Sequence, residues 1–389
     1  MKKRFTLSLL GERDWPALLL WFGLSVIVAA KELLVHNMNN YIIFKHVFLH
    51  VRGQQPLYIP YPEYFDVNMY GPLFSVIIAP FALLPDFLGA MLWVICNAAF
   101  LYYAIRQLPL SRIQQNLILI FSSHELMAAS SYFQFNPAIA ACLILSFTLI
   151  LKGKDLRAAF FIMLGTFTKL YGIAGLAFFF FSRHRLRLLG SLALWAGILF
   201  ILPVVLAPMD YILQTYREWM AALVQKNTKN YQFEQGVVMQ NISAMGFIQR
   251  VFRLPQLNNW WVLGPGLLLF FSQYSRLKWA ANPHYRLYLL ASTLLFTVLF
   301  STSSESPTYI IAFPAVCIWY VLQYPTKWNN ALFIFILIGC SFSHSDLVTP
   351  WVKKNIVIPY AFKAFPCLLL WLILVYQVLR GQFLRLKPV

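Results

Sequence analysis

The chain has 389 residues, of which 60% are hydrophobic and 11% charged, and its formal net charge is +18. Soluble domains carry about 25% charged residues, so this composition leaves too little polar surface for a soluble fold, and it is far too apolar for intrinsic disorder. What remains is an all-α polytopic membrane protein, whose basic excess belongs to loops kept in the cytoplasm rather than to a nucleic-acid surface, for which no basic domain exists outside the apolar segments.

The N-terminus, MKKRFTLSLLGERDW, is basic but has neither the apolar core nor the small-residue cleavage site of a signal peptide. The first apolar run, 15–34, therefore reads as a retained signal anchor. A long outer loop follows, about 35–85. Within it, residues 41–51 alternate apolar and polar at helical spacing, which predicts a surface helix. Beyond Gly53, Tyr58, Tyr61, Tyr64 and Tyr70 crowd around Glu63 and Asp66. Rings beside carboxylates suit a sugar, whose C–H groups stack on the rings while its hydroxyls bond the acids. Tyrosines at a membrane–water interface also form an aromatic belt with no ligand at all. Residues 71–84 are apolar but short and broken by Pro72 and Pro80. Were they to span, Arg106 and Arg112 would move outside, so an interfacial helix on the outer face is expected.

Apolar runs follow at 86–105, 114–131 and 136–151. His124 and Glu125 lie inside the second of these, but position 128 is Ala128, so the zinc pattern H-E-x-x-H is absent and Glu125 reads as a buried, hydrogen-bonded side chain. The turn SYFQFNP, 131–137, offers Gln134 and Asn136 to the outside. The run 158–182 has Thr168, Lys169 and Gly172 in its middle, Lys152, Lys154 and Arg157 before it, and Arg183, Arg185 and Arg187 after it. With both flanks cytoplasmic, this run enters and returns as a hairpin of two short helices. A charge within such a run costs at least ~2.5 kcal/mol on insertion scales. Lys169 at the tip is therefore a candidate cation for a lipid-linked phosphate, with snorkelling to the outer interface as the structural alternative.

Six further runs, 188–207, 260–274, 286–301, 308–323, 328–344 and 358–380, complete the chain. Counting the hairpin as two gives about 12 transmembrane segments with both termini cytoplasmic. Inner loops then hold most of the 31 Lys and Arg residues, including Lys2, Lys3, Arg4 and Lys387. Glu63, Asp66, Asp210, Glu218, Glu234, Glu305 and Asp346 fall outside. The second outer loop, about 208–259, carries an amphipathic helix over 214–226 and a glycosylation sequon at Asn241 that matters only in a eukaryotic secretory lumen. Glu305, in STSSESPTYI, either contacts a polar ligand or belongs to a helix N-cap cluster. Cys96, Cys142, Cys317, Cys340 and Cys367 lie in apolar runs without C-x-x-C spacing and read as core filler. No repeat or soluble domain is present, so residues 1–389 are expected to form a single integral membrane domain whose active face is built by the two outer loops.

The ordered segments NNYIIFKHVFLHVRGQQPLY (39–58), MYGPLFSVIIAPFALLPDFLGAMLWVICNAAF (69–100), FQFNPAIAACLILSFTLILKGKD (133–155) and MLGTFTKLYGIAGLAFFFFSRHRLR (163–187) resemble glycosyltransferase family 87. The likeness covers about residues 15–325 and rests on Tyr70-Gly71-Pro72-Leu73-Phe74, on Leu84-Pro85 followed by Leu92-Trp93 and Asn97, and on the lone Lys169 in a broken helix. It implies a GT-C-like bundle with juxtamembrane helices in the first outer loop. It also implies transfer of a hexose such as mannose from a polyprenyl-phosphate-linked sugar donor to a lipid or glycan acceptor, at the non-cytoplasmic face of the cell membrane. Membrane lipids would be the remaining partners. Phosphate is already a good leaving group, so no metal or other cofactor is required.

The likeness has one departure. Members usually carry an Asp-Phe-x-x-Tyr pattern after the first span, whose carboxylate is taken as the base, and here the slot reads Asn40-Tyr41-Ile42-Ile43-Phe44. An amide cannot accept a proton near neutral pH. The expectation is therefore that Asp66 or Glu63 acts as base, that Lys169 holds the phosphate as a point charge, and that Asn40, Tyr70, Asn136 and Glu305 position sugar or acceptor. The competing readings are a catalytically inactive relative and a transporter or flippase of a lipid-linked sugar. Against the transporter stand the absence of repeated halves and the length of the outer loops.

Overall fold

The computed structural model describes residues 11–231, 240–345 and 350–386. Lys2, Lys3, Arg4, Glu234, Asp346 and Lys387 lie outside the described residues. Among the described residues every regular element is helical. In chain order the principal ones are α1 (Asp14–Leu34), α2 (Asn39–Arg52), α3 (Phe74–Ala82), α4 (Asp86–Arg106), α5 (Arg112–Ser131), α6 (Asn136–Leu151), α7 (Asp155–Lys169), a 3-10 helix (Tyr171–Phe181) and α8 (Arg185–Val205). Then come α9 (Met209–Tyr231), α10 (Ala244–Phe252), α11 (Trp260–Ser272), α12 (Pro283–Leu299), α13 (Ser306–Leu322), α14 (Lys327–Phe342) and α15 (Ala364–Leu379). Every apolar run read from the sequence contains a helix. Among the described residues, only α1, α4 and α8 are long and apolar enough to cross a membrane by themselves, and the other apolar helices are shorter.

The chain folds as two compact units, the first made of residues 1–21, 108–126 and 227–389 and the second of 22–107 and 127–226. In the first unit, α12 and α13 are buried along nearly their whole length. Asn282 starts α12 by accepting the backbone N–H groups of His284 and Tyr285, with Pro283 in the first helical position, where its missing N–H costs nothing. Arg112 donates through Nε and Nη2 to Asp14 at 2.8 and 2.7 Å. About 20 Å further along α5, by helical rise, the buried Glu125 accepts from Lys363 Nζ at 3.0 and 2.9 Å. The same ammonium donates to Ser306 Oγ at 3.0 Å and lies 5.0 Å from the Tyr309 ring. Glu125 is thus buried and hydrogen-bonded as expected, with a cation for its partner. Cys96 is exposed and the other four cysteines are buried.

In the second unit, α6 is buried on nearly every face, packed by α4, α7 and the 3-10 helix. The hairpin expected over 158–182 is present as α7 and the 3-10 helix. Three contacts climb it. Ser182 Oγ donates to Asp155 Oδ1 at 3.0 Å at the foot, Gly175 packs on Ile162 midway, and Gly165 meets Gly172 near the tip. A Cβ on Gly172 would lie 2.3 Å from the Thr166 nitrogen, so only glycine lets the two legs approach this closely. The chain reverses at Leu170, held at φ 49°, a left-handed position that glycine usually fills.

Helix α2 differs from the expected surface helix. It runs from Asn39 to Arg52 and buries Tyr41, Ile43, Phe44, Val47, Phe48, His50 and Val51. The Phe44 ring lies 5.0 Å from both Tyr70 and Phe74 and 6.0 Å from Trp93, so α2 forms a wall of the core rather than a float. Helix α3 lies within the short segment 71–84. Its nine residues span about 14 Å, too little to cross hydrocarbon.

Candidate active site

The loop from Gly53 to Leu73 is tied to the hairpin tip at Gly71. The Gly71 N–H donates to the Thr168 carbonyl at 3.0 Å, and a Cβ there would sit 2.2 Å from the Phe167 carbonyl oxygen. This seat brings the preceding residue, Tyr70, over Lys169, with Nζ 5.4 Å from its ring centre and 5.3 Å from that of Tyr171. Lys169 Nζ donates to Asn136 Oδ1 at 2.6 Å. Asn136 opens α6, so the central helix of this unit carries the lysine's amide partner on its first turn. Tyr70 is fixed on all sides. Its hydroxyl donates to Gln134 Oε1 at 3.3 Å, its carbonyl accepts from Tyr58 Oη at 3.0 Å and Asn68 Nδ2 at 3.1 Å, and its ring stacks on Phe74 at 4.4 Å. Tyr70, Asn136 and Lys169, three of the residues singled out in the sequence, thus meet at the hairpin tip. Chemically this is a half-buried cation beside two aromatic faces and an amide oxygen.

Asp66 and Glu63 stand exposed on the same loop. Asp66 adopts φ 85°, and its Oδ1 accepts the Val67 N–H at 2.8 Å. Glu63 lies beside His50, Tyr61 and Tyr64. Burial, then the charges of Tyr61 and Glu63, push the Tyr64 phenol up to about 12. Burial, then the neighbouring His46, lower the His50 pKa, and the Glu63 charge opposes them. The His50 ring lies tilted against Tyr61 at 4.1 Å and 5.3 Å from that of His46. These histidines were missed from sequence, although their i, i+4 spacing on one helix was the signal.

Asn40, in the slot of the family's base, donates through Nδ2 to the Tyr132 carbonyl at 2.9 Å. Glu305 belongs to the first unit. Its N–H donates to Thr308 Oγ1 at 3.1 Å at the start of the 3-10 turn Ser306–Thr308, the capping arrangement that its local sequence also suggested. Lys363 was also missed. The reason for noticing Lys169, a lone lysine in an apolar run, applies equally to Lys363 within 358–380. Among the described residues, no group of three or more His, Cys, Asp or Glu side chains is arranged to hold a metal ion.

The model of glycosyltransferase family 87 matches residues 68–302, a stretch that contains Tyr70, Asn136 and Lys169 and stops short of Asn40, Glu63, Asp66 and Glu305. No protein of curated function matches the sequence. Among solved structures, the crystal structure of ArnT from Cupriavidus metallidurans in the apo state is similar at 13% identity and a TM-score of 0.38, over 88% of this chain and 73% of that one. The crystal structure of the same protein bound to undecaprenyl phosphate is similar at 14% identity and a TM-score of 0.36, over 94% and 76%.

Proposed function

Since the chain belongs to glycosyltransferase family 87, we propose that it is a GT-C-type enzyme that moves a hexose such as mannose from a polyprenyl-phosphate donor to a lipid or glycan acceptor on the non-cytoplasmic face of the cell membrane. The observation that carries this reading is the Lys169 cluster, a cation at the break of the hairpin that donates to an amide oxygen and lies against two rings. In the proposed reaction a phosphate oxygen of the donor replaces Asn136 Oδ1 as the partner of Lys169. The ammonium steadies the negative charge that grows as the bond between sugar and phosphate breaks. Asp66 or Glu63 takes the proton of the acceptor hydroxyl as that oxygen bonds to the sugar. The polyprenyl phosphate leaves with the electron pair. Tyr70 and Asn136 are proposed contacts to sugar or acceptor.

The test uses the full chain in lipid, radiolabelled polyprenyl-phosphate mannose and a total lipid extract of the source cell. Wild type moves label into a new lipid or glycan. Asp66→Asn or Glu63→Gln, whichever removes the base, lowers the rate by about 10²–10⁴-fold. Lys169→Ala lowers kcat/KM by ~30-fold or more, the cost of removing one partner of a close charge pair. Full activity in both carboxylate variants would sink the base assignment, and full activity in Lys169→Ala would sink the phosphate site.

A further inference from the structure

Adjacent amides on the first turn of α2 reach to two separate backbones. The Asn39 side chain grips Phe65 at both ends, with Nδ2 donating to its carbonyl at 2.5 Å and Oδ1 accepting its N–H at 2.7 Å. The Asn40 amide donates to the Tyr132 carbonyl at 2.9 Å. The next carbonyl, that of Phe133, accepts Trp93 Nε1 at 2.8 Å, so this turn is fixed from two directions. Both gripped residues turn their rings outward, Phe65 being 85% and Tyr132 47% exposed. Asp66, immediately after Phe65, is held at φ 85°, a conformation that costs free energy in any residue with a Cβ and that clusters at functional sites.

We propose that Asn39 and Asn40 form an amide bracket that presents the Phe65 and Tyr132 rings as stacking faces for a pyranose of the acceptor, beside the Asp66 carboxylate. The word acceptor rests on the glycosyltransferase reading above, and the bracket itself does not. A stacking face gains from a fixed backbone, since every freedom lost on binding subtracts from affinity. Phe65 also lies between Glu63 and Asp66, whose exposed carboxylates are repelled by anionic lipid surfaces and are good acceptors for sugar hydroxyls. The bracket accounts for the amide at position 40. A carboxylate accepts hydrogen bonds and cannot donate one, so an aspartate there would set two acceptors face to face at Tyr132. Asn40 is on this account a positioning residue that acts through Tyr132.

The experiment is saturation-transfer NMR on the full chain in lipid nanodiscs, with methyl α-D-mannopyranoside and methyl β-D-glucopyranoside as probes. Wild type transfers saturation to the sugar C–H protons of at least one probe. Phe65→Ala and Tyr132→Ala each weaken that signal by about fivefold to tenfold, while Phe65→Trp restores it. Asn40→Asp weakens it in a chain that remains folded at the temperature of the measurement, and Asn39→Asp, which keeps one of its two bonds, falls between. A signal absent in wild type, or equal in the alanine variants, overturns the proposal and leaves Phe65 as an interfacial anchor only. Transfer of radiolabelled mannose in the same preparation separates the two readings. Sugar contact without transfer keeps the bracket and sinks the enzyme, and transfer without contact at these rings does the reverse.

Discussion

Lys169 sits where an amide oxygen, two phenol rings and the carboxyl end of α7 meet. The partial negative charge of that helix end favours a cation, so the lysine is stabilised before any ligand arrives. Its isolation in an apolar run made it legible in the sequence. Asn39 and Phe65 were not legible, because an asparagine near a helix start and a phenylalanine in a loop are ordinary until a contact spanning 26 residues joins them. His50 carries a measurable consequence. Burial and His46 disfavour its protonated form in the folded chain, so the unfolded chain binds that proton more tightly. Stability is then fully present above the ordinary histidine value of 6.5 and falls as pH drops below it. Melting temperatures of wild type taken from about pH 7.5 to about pH 5 should fall more steeply than those of His50→Gln. Equal slopes would remove His50 from the account.

At the scale of elements, the hairpin was legible because basic residues flank both ends of an apolar run broken at Lys169 and Gly172, which predicts both ends on the same side. The 3-10 winding of its second leg was not, since hydrophobic pattern alone does not separate i→i+3 from i→i+4 bonding. Helix α2 was misread for a related reason. Lys45 and His50 look like a polar face, but Lys45 pairs with Asp86 at 2.5 Å and His50 lies against the Tyr61 ring, partners that no local pattern contains. The glycine contacts give a direct test. Gly172→Ala forces a Cβ into the Thr166 backbone and should cost about 1–3 kcal/mol, as overpacking does. Gly190→Ala, where nothing lies within 4 Å, should be neutral or raise stability by roughly 0.5–1 kcal/mol, the helix preference for alanine. Thermal melts in one detergent would compare them, and a Gly172→Ala variant as stable as Gly190→Ala would contradict the close-packed tip.

For the molecule as a whole, composition settled the class, and it did so because 60% hydrophobic residues admit few alternatives. The number of crossings was less legible. Among the described residues only α1, α4 and α8 are long and apolar enough to cross alone, and Pro80, Pro265 and Pro314 lie inside shorter helices. Orientation is proposed from charge alone, with both termini cytoplasmic and the 31 basic residues mostly inside. A C-terminal green fluorescent protein fusion should therefore fluoresce while a C-terminal alkaline phosphatase fusion stays inactive. The opposite pair of results would invert the arrangement and move Lys169 to the cytoplasmic side.

The length of α7 bears on where the proposed reaction would take place. Its 15 residues rise about 22 Å, whereas a bilayer's hydrocarbon is about 30 Å thick. With its foot at the inner boundary, the tip that carries Lys169 stops roughly 8 Å short of the outer one. The sugar phosphate would then have to descend into the slab to meet the lysine, and the depth of that descent is set by the lipid. Longer acyl chains would sink the tip and shorter ones bring it towards water, so in the proposed reaction the thickness of the surrounding membrane would be a variable of the rate.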